Sequence, residues 1–264
     1  MKTPTIALAL GGGGARGLAH LGVLEVLTSE GIPIQGIVGT SMGALVGVTY
    51  GANVNLRYMR RLIDEIPWKD LMDVGFRRMG LIDGDRVMAL IRLLTKNKRL
   101  EELDPPVWVV ATNLLNGEEV VFTEGLLDLA VRASISIPGL FTPVSCENAF
   151  LVDGGVVAGV PVSVARRMEK DLVVAVNVSH DFKRSVPNNL FDVLIQATDI
   201  MSDRMDRFQI EQADLVINPN VGDVGTLEFH RGAECIERGI EAARQSLPAI
   251  RRLLDNHPVK FCIG

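Results

Sequence analysis

The sequence predicts an α/β layered domain built on a largely parallel sheet. Three observations carry this. Runs with strand character alternate along the chain with helical patterns, the order that strand-helix-strand units produce. Several strand runs are unbroken apolar stretches, as central parallel strands are when both faces are covered. No repeat, low-complexity tract or dividing linker interrupts the chain, so a single domain spans 1–264.

The elements follow in order. Thr5–Leu10 is an apolar strand that ends at four consecutive glycines and leads into a helix over Ala15–Glu30. Ile34–Val38 is the second strand, and the small-residue-rich stretch Met42–Gly51 is its helix. Two helical patterns, Leu56–Glu65 and Gly84–Leu94, come next without a strand run between them. Val107–Ala111 and Glu119–Phe122 are strands, followed by a helix at Leu126–Ala133. A strand at Ala149–Val152 precedes a helix at Pro161–Met168. Leu172–Val176 is a buried strand, Leu190–Gln212 a helix, Leu215–Ile217 a short strand and Phe229–Leu254 the last helix. The core is then 5–220, with an insertion or lid at about 55–100 and a C-terminal helix at about 229–255.

Composition excludes several classes. The 264 residues are 47% hydrophobic and 22% charged with a net charge of −5, which rules out disorder and argues against nucleic-acid binding. Cys146, Cys235 and Cys262 are too few and scattered for a disulfide framework, and no C-x-x-C offers a zinc site. The apolar run before the glycines is too short for a signal peptide, so a cytoplasmic setting is expected. Gly31 to Leu56 carries no charge, yet Pro33, Gln35, Asn53, Asn55 and several glycines break it. A strand, a turn and a helix in a buried core are expected there rather than a membrane span. Residues 55–99 hold 11 Lys/Arg against 6 Asp/Glu, a net +5 within an acidic chain. With Trp68, Leu71, Met72, Phe76, Met79, Leu81 and Ile82 taken as exposed, that segment reads either as a solvated helical hairpin or as a lid meeting an anionic, apolar substrate.

Three motifs carry chemistry. Gly11-Gly12-Gly13-Gly14-Ala15-Arg16-Gly17 lies between a strand and a helix. Gly12-x-Gly14-x-x-Gly17 matches the dinucleotide fingerprint, but no acid closes the second strand to hold a ribose. A P-loop fails because Leu18, not Lys, follows Gly17. Two readings remain: an oxyanion loop, in which backbone N–H groups turn toward a reacting oxygen, or only a tight strand-to-helix turn, for which four glycines are excessive. Gly39-Thr40-Ser41-Met42-Gly43 is a G-x-S-x-G pentapeptide in the strand-turn-helix setting that a nucleophile elbow needs. Asp153-Gly154-Gly155 follows an apolar strand, where it is either an Asp-Gly turn or a catalytic carboxylate at a strand end. Together the three supply donors, nucleophile and base for acyl transfer. By chain order His180 or His230 would complete a Ser-Asp-His triad, while His20 lies in the first helix and is expected to pack or to face solvent, and His257 has no assigned role.

These residues resemble the patatin-like phospholipases. The likeness rests on Gly-Gly-Gly-x-Arg-Gly, Gly-x-Ser-x-Gly and Asp-Gly-Gly in that order. It extends to Leu8-Ala9-Leu10, His20-Leu21-Gly22-Val23-Leu24, the run Arg132 to Gly139, and Pro161. The resemblance implies a three-layer α/β/α fold and a Ser-Asp dyad without histidine. Ser41 is then the nucleophile and Asp153 the base, with Gly12, Gly13 and Gly14 at the oxyanion positions and Arg16 at a basic position. Gly17, Gly39, Gly43, Gly154 and Gly155 support the motifs. It implies a lipid or other acyl ester as substrate; no metal or cofactor is expected, and the basic, apolar residues of 55–100 suggest a transient membrane contact there. One departure stands out: Val156-Val157-Ala158-Gly159-Val160 occupies a loop where bacterial relatives often carry Asn. An ordinary Asp, with a pKa of about 3.9, is a poor base for a serine, so the dyad requires close geometry and desolvation.

Overall fold

The computed structural model describes residues 4–257 except Met72, Arg78, Glu147, Arg184 and Ser185. Cys262 and Met72 therefore lie outside the described residues, as does the side chain of Phe76. In chain order the elements are β1 (Ile6–Leu10), α1 (Ala19–Ser29), β2 (Ile34–Thr40), α2 (Met42–Gly51), α3 (Leu56–Glu65), β3 (Val74–Arg77), β4 (Gly80–Ile82) and α4 (Asp85–Thr95). Then come β5 (Val107–Asn113), β6 (Glu118–Phe122), α5 (Leu127–Ser134), β7 (Val144–Cys146), β8 (Ala149–Asp153) and α6 (Val162–Arg166). The chain ends with β9 (Leu172–Val176), α7 (Leu190–Ile210), β10 (Leu215–Ile217) and α8 (Gly232–Asn256).

The central sheet runs β10-β9-β1-β2-β5-β8-β7, with β6 also paired to β5. Strands β10, β9, β1, β2 and β5 are parallel, as the apolar runs predict; β6 and β8 are antiparallel to β5, and β7 to β8. Pleat alternation splits β1 between two cores. Ile6, Leu8 and Leu10 pack with α1, α2 and α8 on one face, while Ala7 and Ala9 meet Val162, Val164 and Ala165 of α6 on the other. This is the expected three-layer α/β/α arrangement. The uncharged stretch from Gly31 to Leu56 is β2 and α2, and no helix of the described residues is long and apolar enough to cross a membrane.

The expected first helix divides in two. Gly14–Leu18 forms a 3-10 turn and α1 starts only at Ala19. Arg16 N–H bonds back to Gly13 O, and Ala15 N–H leaves the helix to meet Thr226 O at 2.9 Å, so the chain is still tight as it exits the glycines. The β3–β4 hairpin and β7 escape the sequence pattern because each is short and lacks an apolar run.

Segment 55–99 differs most from expectation. Trp68 and Leu71 line an internal cavity, and Ile82 is buried; Leu81 is half-buried and Met79 exposed. The reason is helical spacing. Met59, Leu62, Ile63 and Ile66 at the end of α3 and Val87, Leu90, Ile91 and Leu94 of α4 repeat at i, i+3, i+4 and i+7, and all eight line that cavity. Arg57, Arg61, Arg92 and Lys96 occupy the opposite, exposed faces. The segment is fastened at several points. Arg60 pairs with Glu237 of α8, and Arg92 with Asp128 of α5 at 2.5 Å. Arg132 donates to Asp83 O and Thr142 O and, at 2.5 Å, to Ser136 Oγ.

Candidate active site

Register places the site. One edge of β5 pairs with β6 over Val109–Asn113, so β2 and β8 must share the other edge. β2 reaches Thr40 opposite Val110, and β8, running the other way, reaches Asp153 opposite Ala111. The two strands meet end to end, and the residues at their tips, Ser41 and Asp153, face each other. Ser41 Oγ donates to Asp153 Oδ2 at 2.6 Å, with both residues buried at 6% exposure.

Each tip is held. Ser41 has φ +54° and ψ −121° at the start of α2, the strained geometry of a nucleophile elbow. Its N–H donates to Ser134 Oγ, which donates in turn to Val110 O. Gly43 is required by contact: a Cβ there would lie 2.2 Å from Leu10 O, where α2 crosses β1. Asp153 Oδ1 accepts from Gly155 N–H at 2.7 Å, and Asp153 N–H donates to Ser136 O. Burial pushes the Asp153 carboxyl up to about 6, against the lowering effect of the Ser41 and Gly155 hydrogen bonds, with a small further rise from the Asp199 charge.

The glycine loop faces the dyad. Gly12 N–H donates to Gly159 O and is thus engaged, whereas among the described residues the Gly13 and Gly14 N–H groups have no protein acceptor. Gly14 has φ +55°, and a Cβ there would sit 2.2 Å from Thr226 O, so only glycine fits. Arg16 is fully buried below the loop; its guanidinium reaches Asp199 Oδ2 at 3.4 Å and lies 3.9 Å from the Phe182 ring centroid. His20 is also buried rather than solvent-facing, and its Nε2 is 2.7 Å from Gly11 O. Burial takes its pKa down to about 4, so the ring is neutral at neutral pH and Nε2–H donates to the loop. The divergent 156–160 loop is tied through backbone groups. Thr40 Oγ1 donates to Ala158 O, Gly159 O accepts from Gly12, and Val160 N–H donates to Asp206 of α7.

Ser41, Gly14 and Ile137 border two cavities of opposite character. The first is lined, Ser41 apart, by apolar residues only, from α1 to α4 and from the segments at 135–141 and 227–229. The second is polar, with Asp153, Ser179, Thr198, Asp199, Ser202 and Thr226 among its walls. No histidine lines either cavity. His180 is half exposed beside Asp181, and His230 is exposed and borders a separate groove. Ser134, Asp199, Ser179 and Thr226 were not singled out from the sequence. Ser134 falls within the quoted run from Arg132 to Gly139, but the other three lie at loop and helix positions without a local pattern.

Comparisons with known proteins place the chain in a family. The family model described as patatin-like phospholipase matches residues 8–166. An uncharacterized NTE family protein of Mycobacterium tuberculosis (strain ATCC 25618 / H37Rv) is 36% identical over 180 residues, covering 67% of this chain and 50% of its own length. Patatin-like phospholipase domain-containing protein 7 of Rattus norvegicus is 33% identical over 184 residues, covering 66% of this chain and 13% of its own. Lysophospholipase NTE1 of Pyricularia oryzae (strain 70-15) is 26% identical and covers 94% of this chain and 19% of its own. The chain therefore spans half or less of the length of these curated relatives. Among solved structures, VipD from Legionella pneumophila superposes with a TM-score of 0.63 at 16% identity, covering 97% of this chain and 67% of that one.

Proposed function

The chain belongs to the patatin-like phospholipase family, and on that premise we propose that it is a serine acyl hydrolase that cleaves carboxylic esters of lipids with a Ser41–Asp153 dyad. The observation that carries the reading is the 2.6 Å Oγ–Oδ2 hydrogen bond at the junction of an apolar and a polar cavity. Ser41 Oγ attacks the ester carbonyl carbon, and its proton passes to Asp153. The N–H groups of Gly13 and Gly14 hold the resulting oxyanion, where one such donor is worth roughly 10²–10³ in rate. Collapse expels the alcohol, which takes the proton from Asp153 and leaves an acyl-Ser41. Water then attacks the acyl-enzyme and gives its proton to Asp153. Collapse returns that proton to Ser41 and frees the acid. The raised Asp153 pKa brings the base closer to its task.

The apolar cavity suits the acyl chain and the polar one the alcohol side. The 26% identity to a protein named lysophospholipase supports a lipid ester. A transient contact with an anionic membrane surface belongs to the same reading, supported by exposed Arg57, Arg61, Arg92 and Lys96 with Tyr58 and Leu93. A cytoplasmic setting accords with the free thiols Cys146 and Cys235.

A lipid-panel hydrolysis assay tests the function. The native protein releases fatty acid or lysolipid from at least one lipid, and Ser41→Ala and Asp153→Asn proteins of native fold do not. Equal release by native and Ser41→Ala protein contradicts the assignment. Absence of release by either points to a binding protein on this fold.

A further inference from the structure

The apolar cavity at Ser41 and a groove on the outside of the molecule share five wall residues: Ile63, Ile66, Trp68, Leu227 and Phe229. The partition between inside and outside is therefore a single layer of side chains. Its centre is a ring pair, with Trp68 and Phe229 stacked at a centroid separation of 4.5 Å and 17° from coplanar. Trp68 begins the 3-10 turn Trp68–Leu71 behind α3, and Phe229 begins the 3-10 turn ahead of α8. The stack thus joins two short turns far apart in sequence. Trp68 is anchored to its own segment by the indole N–H, 3.3 Å from Ile63 O, and its ring face meets Phe229 across the gap.

Size gives the partition a role. The cavity measures about 110 Å³, whereas an apolar cavity of roughly 150 Å³ holds one benzene. A cavity of this size accommodates the first few carbons of an acyl group and no full-length lipid chain. Beyond the stack the wall gives onto open space. Resting on the acyl-hydrolase reading above, we propose that the Trp68–Phe229 pair is a gate that sets acyl-chain length. Stacked, it confines the site to short acyl groups; parted, it lets the distal end of a long chain run out into the groove. The driving force is chemically matched, because each methylene of the chain gains by leaving water for the ring-lined passage.

The test reads a ratio, so that losses common to all substrates cancel. kcat/KM is measured for p-nitrophenyl butyrate and p-nitrophenyl palmitate in detergent micelles, for native, Phe229→Ala and Leu227→Trp proteins. Removing the ring opens the wall and raises the palmitate-to-butyrate ratio by about tenfold. Leu227 is 41% exposed, so its replacement spares the fold; the added bulk narrows the same wall and lowers the ratio. A ratio unchanged in Leu227→Trp, and in Phe229→Ala if that protein folds, overturns the gate. Ser41→Ala run beside them separates the two failures. Turnover that survives in Ser41→Ala sinks the hydrolase reading, while Ser41-dependent turnover with an unmoved ratio sinks the gate alone.

Discussion

At the scale of the residue, Ser41 combines three constraints that a structural serine does not need together. It is buried, it adopts φ +54°, and its hydroxyl is spent on a carboxylate whose pKa is raised by burial. Backbone strain of this kind costs roughly 1–3 kcal/mol, and glycine relieves it. Ser41→Gly is accordingly expected to melt above Ser41→Ala by the equivalent of about 1 kcal/mol, with both inactive. Calorimetry checks this, and a Ser41→Gly protein no more stable than Ser41→Ala denies the strain. The three motifs were legible because each needs rare residue types at fixed spacing next to an apolar run. What spacing could not supply was which glycine N–H is already engaged by the protein itself. Gly12 and Gly13 are neighbours in sequence, but only the fold shows Gly12 bonded to Gly159. The placement of His20 was equally hidden, since an isolated histidine in an apolar helix looks the same whether or not it bonds a loop carbonyl.

At the scale of the element, the parallel strands could be read almost to the residue because a doubly covered strand is a continuous apolar run. The β3–β4 hairpin and β7 could not: unlike the equally short β10, Leu215–Ile217, they mix Gly, Arg, Ser or Cys with their apolar residues and take their pairing from neighbours. Besides Asp199 at Arg16, the exposed long helix α7 holds the site through a buried carboxylate. Asp206 accepts from Val160 N–H at 2.9 Å and from Ser202 Oγ, and burial lifts its pKa to about 6. Because this folded-state pKa lies above the unfolded value of about 3.9, the native state binds more protons between about pH 4 and 6. Stability from this group then falls as pH rises through that window and is level above it. Asp206→Asn keeps an oxygen for Val160 N–H and removes the titration. The decline of the urea midpoint between about pH 4 and 7 should shrink in this variant; an unaltered slope would show that Asp206 is not the titrating group.

At the scale of the whole molecule, the sheet topology explains why distant motifs converge. β2 and β8 enter the same edge of β5 from opposite ends and stop one residue pair apart, and the glycine loop leaves β1 beside them. Composition alone hides this, just as a net charge of −5 hides the basic outer face of α3 and α4. The family-level fold was readable from the ordered motifs, whereas the division of the site into an apolar and a polar cavity depends on side chains gathered from more than two hundred residues of chain.

The central claim is that Ser41 is activated by Asp153 without a histidine. It is tested most directly by the pH dependence of fluorophosphonate labelling, with the adduct mapped by mass spectrometry in native protein and in a His180→Gln/His230→Gln double variant. A base must be deprotonated to act, so labelling is expected on Ser41, full well above about pH 6 and lost as pH falls through it, with the same profile in both proteins. An adduct on another residue, or an acid limb that vanishes in the double variant, would contradict the account.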